Sequence, residues 1–330
     1  MDSNNIISIT AAAELISRFQ NFVILAHASP DGDAVGSAYA LSHALISLGK
    51  KVRFLCSDPV PERFSFLSTP DFCENCENTG ENEFVISVDL ATVELLEDLR
   101  DDFAEKIDLA VDHHSSHTFF AKNTLLEVAG ANAEIVYKLI TDGLKVALTS
   151  DIAAAIYVGI TTDTGCFRFS NTSPQTHAIA SELYKLDFGQ DAINYTLFEM
   201  KTKKLLELEQ YAVANMRFYF DSRCVILSLP KEILDGADPE DVGAVTSLPR
   251  RMCGSEIGIT LKEKTAGLWK ASVRTNASIN ASDICANFGG GGHKRAAGCK
   301  FRVNTAEECV SELLTVMNPM FRTCSHRNEC

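Results

Sequence analysis

The sequence lacks any long hydrophobic run. Its densest apolar stretch, AAAIYVGI at 153–160, is far shorter than the roughly 18 residues that a membrane-spanning helix needs. We therefore expect no membrane-spanning segment. The opening residues, MDSNNIISIT, have neither a positively charged start nor a long apolar segment, so we expect no secretory signal and a cytosolic location.

Positive charge is also scarce. The chain has 30 Lys and Arg against 44 Asp and Glu, a net charge of −14. Residues 1–216 contain 15 basic and 31 acidic residues, whereas residues 217–330 contain 15 and 13. Long nucleic acids are held by many phosphate contacts, which an acidic protein supports poorly. We therefore expect no long nucleic acid as partner, while a small anion held by a few local groups stays compatible with this charge.

The cysteines do not indicate a disulfide scaffold. All 11 are scattered along a chain that is too large to need covalent bridges. Cys73 and Cys76 have the spacing of a zinc or redox pair, but they lie in an acidic loop and no second pair exists. The terminal set Cys324, His326 and Cys330 lacks a fourth ligand. We expect no zinc at either place.

A length of 330 residues favours two domains. Strands and helices alternate over residues 1–190, which predicts an α/β domain whose parallel sheet has helices on both faces. Residues 191–216 contain no Gly or Pro and are predicted to form a helical connector between the domains. Residues 217–330 are predicted to form a smaller α+β domain that begins with two hairpins, turned at 221–222 and 265–267.

Acidic and imidazole side chains follow the ends of predicted elements in the first domain. They are His27 with Asp31 and Asp33, then Asp89, then Asp112 with His113 and His114, and Asp163. The carboxyl ends of parallel strands open into one crevice, so these groups should converge there. Crowded carboxylates repel one another unless a cation neutralises them, which predicts a metal site. Oxygen and imidazole ligands suit Mn²⁺ better than structural zinc, and their number favours two ions that share a carboxylate.

Single parts of this set have structural alternatives. The tripeptide 31–33 follows Pro30 and can be a turn with a helix N-cap, and Asp89 can cap the helix that follows it. Two adjacent histidines behind an aspartate at 112–114 are harder to explain in this way, because burying all three demands partners. The joint occurrence favours the metal site.

A glycine-rich segment stands out in the second domain. Four glycines at 289–292 allow a backbone to approach a ligand closely, and their N–H groups can form an anion nest. A plain turn is the alternative. Cations follow at 293–295, and Arg274 ends a predicted strand. The candidate phosphate or nucleotide ligands are therefore Arg274, Gly290, Gly291, Gly292, His293 and Arg295.

Five segments together resemble a known superfamily. HASPDGDAVGS at 27–37, SVDLA at 87–91, DHH at 112–114 and TTDTGCFRF at 161–169 resemble the four motifs of the DHH phosphoesterases. NFGGGGHKRAAGC at 287–299 is similar to the signature of their associated C-terminal domain. The match spans nearly the whole chain. In size the chain is similar to the nanoRNase group, whose members are bifunctional oligoribonucleases and pAp phosphatases. That group also includes enzymes that cleave pApA and cyclic dinucleotides such as cyclic di-AMP.

The resemblance implies roles for single residues. It implies two Mn²⁺ ions held by His27, Asp31, Asp33, Asp89, His113 and Asp163, with Asp89 as the bridge. His114 would lie beside the substrate phosphate, and Asp112 would hold an imidazole in position, which makes Asp89, Asp112 and His114 the candidate catalytic residues. The resemblance is also compatible with a homodimer.

These observations predict a Mn²⁺-dependent phosphoesterase in which two metal ions activate a hydroxide for attack on phosphorus. The partner would be a short RNA or a nucleotide such as pAp or pApA. Three alternatives stay open: a manganese inorganic pyrophosphatase, a RecJ-like exonuclease on long strands, and an inactive nucleotide-sensing protein. The segment GGGGHKRAAG argues against the first, the acidic charge against the second, and the complete ligand set against the third.

Overall fold

The structure is a computed structural model that describes residues 5–72, 83–276 and 279–322. The chain divides into two compact units, residues 1–200 and 201–330. The cysteine pair at 73 and 76 and the terminal set at 324–330 lie outside the described residues. Across the described ranges, no helix is both long enough and apolar enough to cross a membrane.

A five-stranded parallel sheet forms the centre of the first unit. Its strands are β1 (Asn21–Leu25), β2 (Lys51–Leu55), β3 (Glu83–Val88), β4 (Leu109–Asp112) and β5 (Asn123–Leu126). Their spatial order is β2-β1-β3-β4-β5, and every pairing is parallel. In this order the chain changes direction across the sheet between β1 and β3. This is the topological switch point at which open parallel sheets bind ligands.

Seven α-helices surround this sheet within the described part of the first unit. They are α1 (Ile9–Ser17), α2 (Gly32–Ser47), α3 (Arg100–Phe103), α4 (Asn132–Lys138), α5 (Ser150–Asp163), α6 (Pro174–Leu183) and α7 (Gln190–Asn194). Short 3₁₀ segments cover Glu62–Phe64 and Val93–Leu99, and π-helical turns cover Leu139–Gly143 and Tyr195–Glu199.

Both faces of the sheet are covered, as the sequence predicts. Phe22 and Ile24 of β1 pack into the large core formed with α1, α2, α4 and α5. Val23 and Leu25 point to the other face and pack against the segment that includes Leu96. The period of two along β1 thus divides its apolar side chains between two hydrophobic layers.

Helices α2 and α5 touch at the level of their backbones. A Cβ atom on Gly36 would lie 2.3 Å from the carbonyl oxygen of Ala155, and one on Gly159 would lie 2.8 Å from Asp33 Oδ1. Because glycine alone permits this approach, the two helices bring Asp33, at the start of α2, close to Asp163, at the end of α5.

The second unit contains a six-stranded mixed sheet. Its strands are β6 (Arg217–Tyr219), β7 (Cys224–Leu229), β8 (Ile257–Thr265), β9 (Leu268–Thr275), β10 (Gly291–His293) and β11 (Ala296–Phe301), in the order β10-β11-β9-β8-β7-β6. Its helices are α8 (Lys203–Asn215), α9 (Lys231–Leu234), α10 (Pro239–Thr246), α11 (Leu248–Arg251), α12 (Ala281–Ala286) and α13 (Ala306–Arg322). Only the β7–β8 pairing is parallel.

The observed architecture confirms the predicted fold class, including both hairpins, β6–β7 and β8–β9. The helix expected over 191–216 is interrupted, because Met200 is extended and the Thr202 side chain accepts a hydrogen bond from the Leu205 N–H to cap α8. The division into 1–190, 191–216 and 217–330 stays a prediction. Strands β5 and β10 were not predicted, since four and three residues are too few to show a period.

The close packing of Gly159 on α5 against α4 and Asp33 can be tested with Gly159→Ala. The added methyl group would lie 2.5 Å from the Ala133 Cβ, so we expect a loss of about 1–3 kcal/mol in the free energy of unfolding, measured by denaturant titration. Gly243→Ala is the control, because its Cβ would meet no atom within 4 Å and α10 should gain stability. Equal stability of the two variants would contradict the close packing.

Candidate metal centre

The predicted ligands meet at the carboxyl edge of the first sheet. His27 comes shortly after β1, Asp89 directly follows β3, and His113 directly follows β4. Asp31 caps the N-terminus of α2, where its Oδ1 accepts hydrogen bonds from the N–H groups of residues 33 and 34 at 3.0 and 3.1 Å. Asp31 therefore acts both as the helix N-cap considered for residues 31–33 and as a member of the acidic cluster.

The six groups form two triads. In each triad, one ligand atom from every member lies within 4.8 Å of the others, and the triads are His27 with Asp31 and Asp89, and Asp33 with His113 and Asp163. His27 Nε2 lies 3.8 Å from Asp31 Oδ1. His113 Nε2 lies 3.9 Å from Asp33 Oδ2 and 3.8 Å from Asp163 Oδ2. All six predicted metal ligands are thus brought together.

Asp89 lies between the triads. Its Oδ2 is 3.9 Å from His27 Nε2, whereas its Oδ1 is 3.4 Å from His113 Nε2. Oδ1 is buried and has no hydrogen-bond partner among the described residues. The backbone of Asp89 is left-handed, with φ of 54°, which costs a non-glycine residue about 1–2 kcal/mol. A strained, buried carboxylate with an unpaired oxygen fits a shared cation ligand.

The two histidines are oriented as metal ligands commonly are. Nδ1–H of His27 donates to the carbonyl oxygen of Ala28 at 2.8 Å, and Nδ1–H of His113 donates to that of Ala129 at 3.1 Å. These hydrogen bonds leave each Nε2 lone pair directed towards the carboxylates. The donor set of four carboxylates and two imidazoles therefore fits divalent cations with mixed oxygen and nitrogen preference.

Asp33 also stabilises a distant helix. Its carboxylate accepts hydrogen bonds from the backbone N–H groups of Asn132 (2.5 Å) and Ala133 (2.9 Å), in the first turn of α4. Ala131 at the N-cap of α4 has no side-chain acceptor, so Asp33 satisfies N–H groups that the helix leaves free. Sequence patterns gave no sign of this contact across 99 residues.

Protons occupy the cluster in the absence of a cation. Burial alone lowers the pKa of both histidines, but the surrounding carboxylates outweigh it and raise the pKa of His27 to about 9 and that of His113 to about 10. Burial raises the pKa of Asp163 to about 6 and that of Asp33 well above its usual range. Bound cations would take over the compensation that these protons provide.

Asp112 is fully buried beneath the second histidine. Its Oδ1 accepts hydrogen bonds at 2.8 Å from the backbone N–H of His113 and from Nδ1–H of His114. The hydrogen bond to Asp112 raises the pKa of His114, whose side chain is 41% exposed. Asp112 therefore holds His114 in place while leaving it accessible from solvent.

Asn132 is a further part of this site, and the sequence did not predict it. Its side chain is fully buried and, with the amide oriented to satisfy both of its ends, accepts a hydrogen bond from the Asp89 N–H at 3.2 Å and donates to the Val111 carbonyl at 3.1 Å. Asn132 thereby supports the strained backbone of Asp89. An asparagine at a helix start has no distinctive spacing, so the sequence offered no signal for this role.

The candidate substrate ligands all lie in the second unit. Arg274 is on β9, and the register places both Arg274 and His293 opposite Ala296 of β11. His293 and Arg295 are exposed, while Arg274 is half-buried. Glycines 291 and 292 belong to β10, and Gly292 has φ of 142°.

The glycine segment serves the fold as well. The Gly290 N–H donates to the Cys285 carbonyl at 2.9 Å, and a Cβ there would lie 2.3 Å from the Gly298 carbonyl oxygen. The amide of Gly290 is thus already used within the unit. The predicted nest would depend on the other amides of this segment.

A switch-point cluster of two acid and imidazole triads, together with a separate mixed-sheet unit, defines the class of α/β proteins with a candidate metal centre. Residues 21–160 match the model of the DHH family, N-terminal domain, and residues 223–322 match that of the DHHA1 domain. The chain thus contains a DHH-family N-terminal domain and a DHHA1 domain. The resemblance found in the sequence is thereby confirmed.

Known proteins are similar over most of the chain. The bifunctional oligoribonuclease and PAP phosphatase NrnA of Thermus thermophilus is 28% identical over 304 residues, 92% of this chain and 91% of that protein. A solved structure, an exopolyphosphatase-related protein from Bacteroides fragilis, has a TM-score of 0.81 and 25% identity over 95% of this chain and 97% of that one. A probable manganese-dependent inorganic pyrophosphatase of Streptococcus thermophilus is 26% identical but covers 49% of this chain and 54% of its own length.

The raised histidine pKa values predict that metal binding releases protons. Near pH 8 both His27 and His113 are protonated in the metal-free protein, and each must lose its Nε2 proton to coordinate a cation. We expect release of about two protons on Mn²⁺ binding, and affinity that falls as the pH is lowered. Calorimetric titration in Tris and HEPES, which differ in ionisation enthalpy, measures the number of protons.

The control for this titration is His27→Gln, which should lower the proton count by about one. An equal heat of binding in both buffers would show that no proton leaves, and would contradict coordination by these two imidazoles.

Proposed function

We propose that the protein is a Mn²⁺-dependent phosphoesterase that hydrolyses short oligoribonucleotides and pAp. The observation that carries this proposal is the pair of triads at the switch point of the sheet, where Asp89 of the first triad also lies 3.4 Å from His113 Nε2 of the second. A relative named for both activities matches more than nine tenths of the chain, and the DHHA1 match extends the similarity into the second unit. We therefore propose a metal site in the first unit and phosphate ligands in the second unit.

Two divalent cations would be held by the two triads, with Asp89 shared between them. When bound, they would supply positive charge for the phosphoryl oxygens and would lower the pKa of coordinated water. The oxygen and imidazole donors favour Mn²⁺, and a relative named as a probable manganese-dependent inorganic pyrophosphatase matches 49% of the chain. The identity of the metal and the number of ions belong to this proposal.

His114 is proposed to bind the substrate phosphate. Its Nδ1–H is committed to Asp112, so Nε2 is the ring atom that remains for a phosphoryl oxygen. Asp112 fixes the ring and favours its protonated form, which strengthens this contact. In the second unit, we propose that Arg274, His293 and Arg295, with the backbone at 291–292, bind a second phosphate or the nucleotide.

The alternatives fit less well. The pyrophosphatase relative covers about half of this chain, and the segment GGGGHKRAAG lies in the DHHA1 match. The net charge of −14 disfavours long strands, and the complete cluster disfavours an inactive nucleotide sensor. A homodimer and a cytosolic location stay predictions of the sequence.

The decisive experiment compares kcat/KM for pAp, pApA, cyclic di-AMP and an RNA ladder of 2 to 20 nucleotides. We expect hydrolysis of pAp and the shortest RNAs, with activity falling beyond about five nucleotides because few phosphate contacts are available. EDTA should abolish activity, and Mn²⁺ should restore it better than Mg²⁺, which accepts imidazole poorly. Undiminished cleavage of the 20-mer would favour the long-strand exonuclease, and full activity in EDTA would exclude metal dependence.

Loss of one ligand should remove turnover. Asp163→Asn keeps the shape of the side chain, and we expect roughly a thousand-fold lower kcat with Mn²⁺, because the parts of such a site act as a unit. Asp151→Asn, at the exposed start of the same helix, is the control and should retain activity. Asp33 is less suitable, since its carboxylate also caps α4. An Asp163 variant with more than about a tenth of wild-type kcat would contradict the assignment.

Substitutions of the phosphate ligands in the second unit should lower kcat/KM only for substrates that carry a second phosphate or a nucleotide. Arg274→Ala and His293→Ala should each weaken kcat/KM for pAp by roughly 1.5–3 kcal/mol, the usual loss for a charge-assisted hydrogen bond. Hydrolysis of bis(p-nitrophenyl) phosphate should change little, and Lys294→Gln, an exposed neighbour, is the control. Equal losses on both substrates would show that these residues support the fold instead.

A further inference from the structure

Three lysines form a row across the sheet of the second unit. Lys262 of β8 pairs with Lys270 of β9, which in turn pairs with Lys300 of β11. Residues directly opposite in neighbouring antiparallel strands share one face, with Cβ atoms about 5 Å apart. Like charges in this arrangement destabilise a sheet. The row therefore has a cost for folding that a ligand would explain.

This lysine row (Lys262, Lys270 and Lys300) is not neutralised. None of its members forms an ion pair with a carboxylate in the described part of the chain. Burial lowers the pKa of Lys262, and the positive charges of Lys264, Lys270 and Arg274 lower it further. Every charged group that acts on Lys262 is thus a cation.

The row lies on the face of the sheet that is open over β9 and β11, whereas the same face of β7 is covered by an apolar cluster that includes Leu208 and Val245. The opposite face of β9 and β11 carries the apolar side chains that pack into the core, among them Trp269, Val273 and Phe301. By alternation, the lysines point away from that core. Lys270 and Lys300 are exposed, and Lys262 is half-buried.

The same face carries the proposed phosphate ligands. Arg274 and His293 flank Ala296 in a second row across the sheet. Arg274 is four residues along β9 from Lys270, so the second row lies about 13 Å from the lysine row. Between the two rows the register places only small residues: Ser272, Gly298 and Gly291. A Cβ on Gly291 would meet no atom within 4 Å, so the space above the β10 end of this row is open, whereas Thr260 of β8, opposite Ser272, is buried.

We propose that the lysine row binds an internucleotide phosphate of an oligoribonucleotide whose end is held at Arg274 and His293. The proposal rests on the proposed function and adds to it a contact that only RNAs longer than a dinucleotide can make. A dinucleotide or pAp held at the second row has no phosphate to place some 13 Å further along the strands. A longer oligomer does, and its sugars and bases would lie over the middle row.

Binding without catalysis isolates this contact. We would titrate metal-free protein, in EDTA, with fluorescently labelled pApA and with a labelled RNA of five nucleotides, and follow anisotropy. The test variants are Lys270→Gln, Lys300→Gln and their combination. Lys203→Gln is the matched control, because this lysine is on α8 and its side chain is 93% exposed.

We expect the double variant to bind the pentamer about ten-fold or more weakly, with little change for pApA. The slope of log Kd against log salt for the pentamer should fall by about 0.7 for each lysine removed. Arginine at both positions should restore binding. The melting temperature of the double variant should not fall, because the substitutions relieve repulsion.

Other results would overturn the proposal. Equal weakening for pApA and the pentamer, or weakening no greater than in Lys203→Gln, would show that the row supplies only general attraction. An unchanged salt slope would show that no phosphate contact is lost. Failure of the proposed function can be distinguished from failure of this proposal. If the wild-type protein hydrolyses neither RNA with Mn²⁺, the proposed function is wrong, and the anisotropy titration still shows whether the lysine row binds the pentamer.

Discussion

Repulsion among carboxylates at one edge of a parallel sheet is the constraint on which the first unit depends. Asp31, Asp33, Asp89 and Asp163 converge there, and two of them are almost fully buried. Burial and crowding raise the pKa of Asp163, and the carboxylates raise the pKa of the two histidines. In the metal-free state, bound protons therefore offset part of the negative charge. Divalent cations provide the same compensation without the protons.

The surrounding structure holds this charge in place through parts that also build the fold. Asp33 caps α4, Asp31 caps α2, and Asn132 supports the left-handed backbone of Asp89. Close contact between α2 and α5 at Gly36 and Gly159 then sets the separation of the two helices that carry ligands. The ligands are therefore positioned by contacts within the fold that do not depend on a cation, as in preorganised electrostatic sites.

The second unit handles charge in the opposite way. Over β9, β11 and β10, one face of its sheet carries cations separated by small side chains, whereas the other face is a conventional apolar core. An acidic unit thus occurs in one chain with a unit whose sheet carries exposed cations. This division suits a substrate of modest length, since a few local cations supply the affinity instead of a large positive field.

The amino-acid sequence by itself determined the class of fold and the acidic and imidazole candidates of the cluster, six of which the family resemblance implied as metal ligands. Parallel strands have a period of two and end at one edge, so the acidic and imidazole groups that follow β1, β3 and β4 could be placed together without coordinates. The hairpins of the second unit were readable for the same local reason. Such signals extend over a few residues and survive in the linear pattern.

Only the tertiary structure decided how these groups are used. The pairing of Asp33 with α4, the unpaired oxygen of Asp89 and the role of Asn132 depend on residues that are distant in the chain and meet through packing. The lysine row likewise appears only once strand register is known, because a shift by one residue would send each lysine to the other face. Register and helix packing are set by the whole core, so no local pattern contains them.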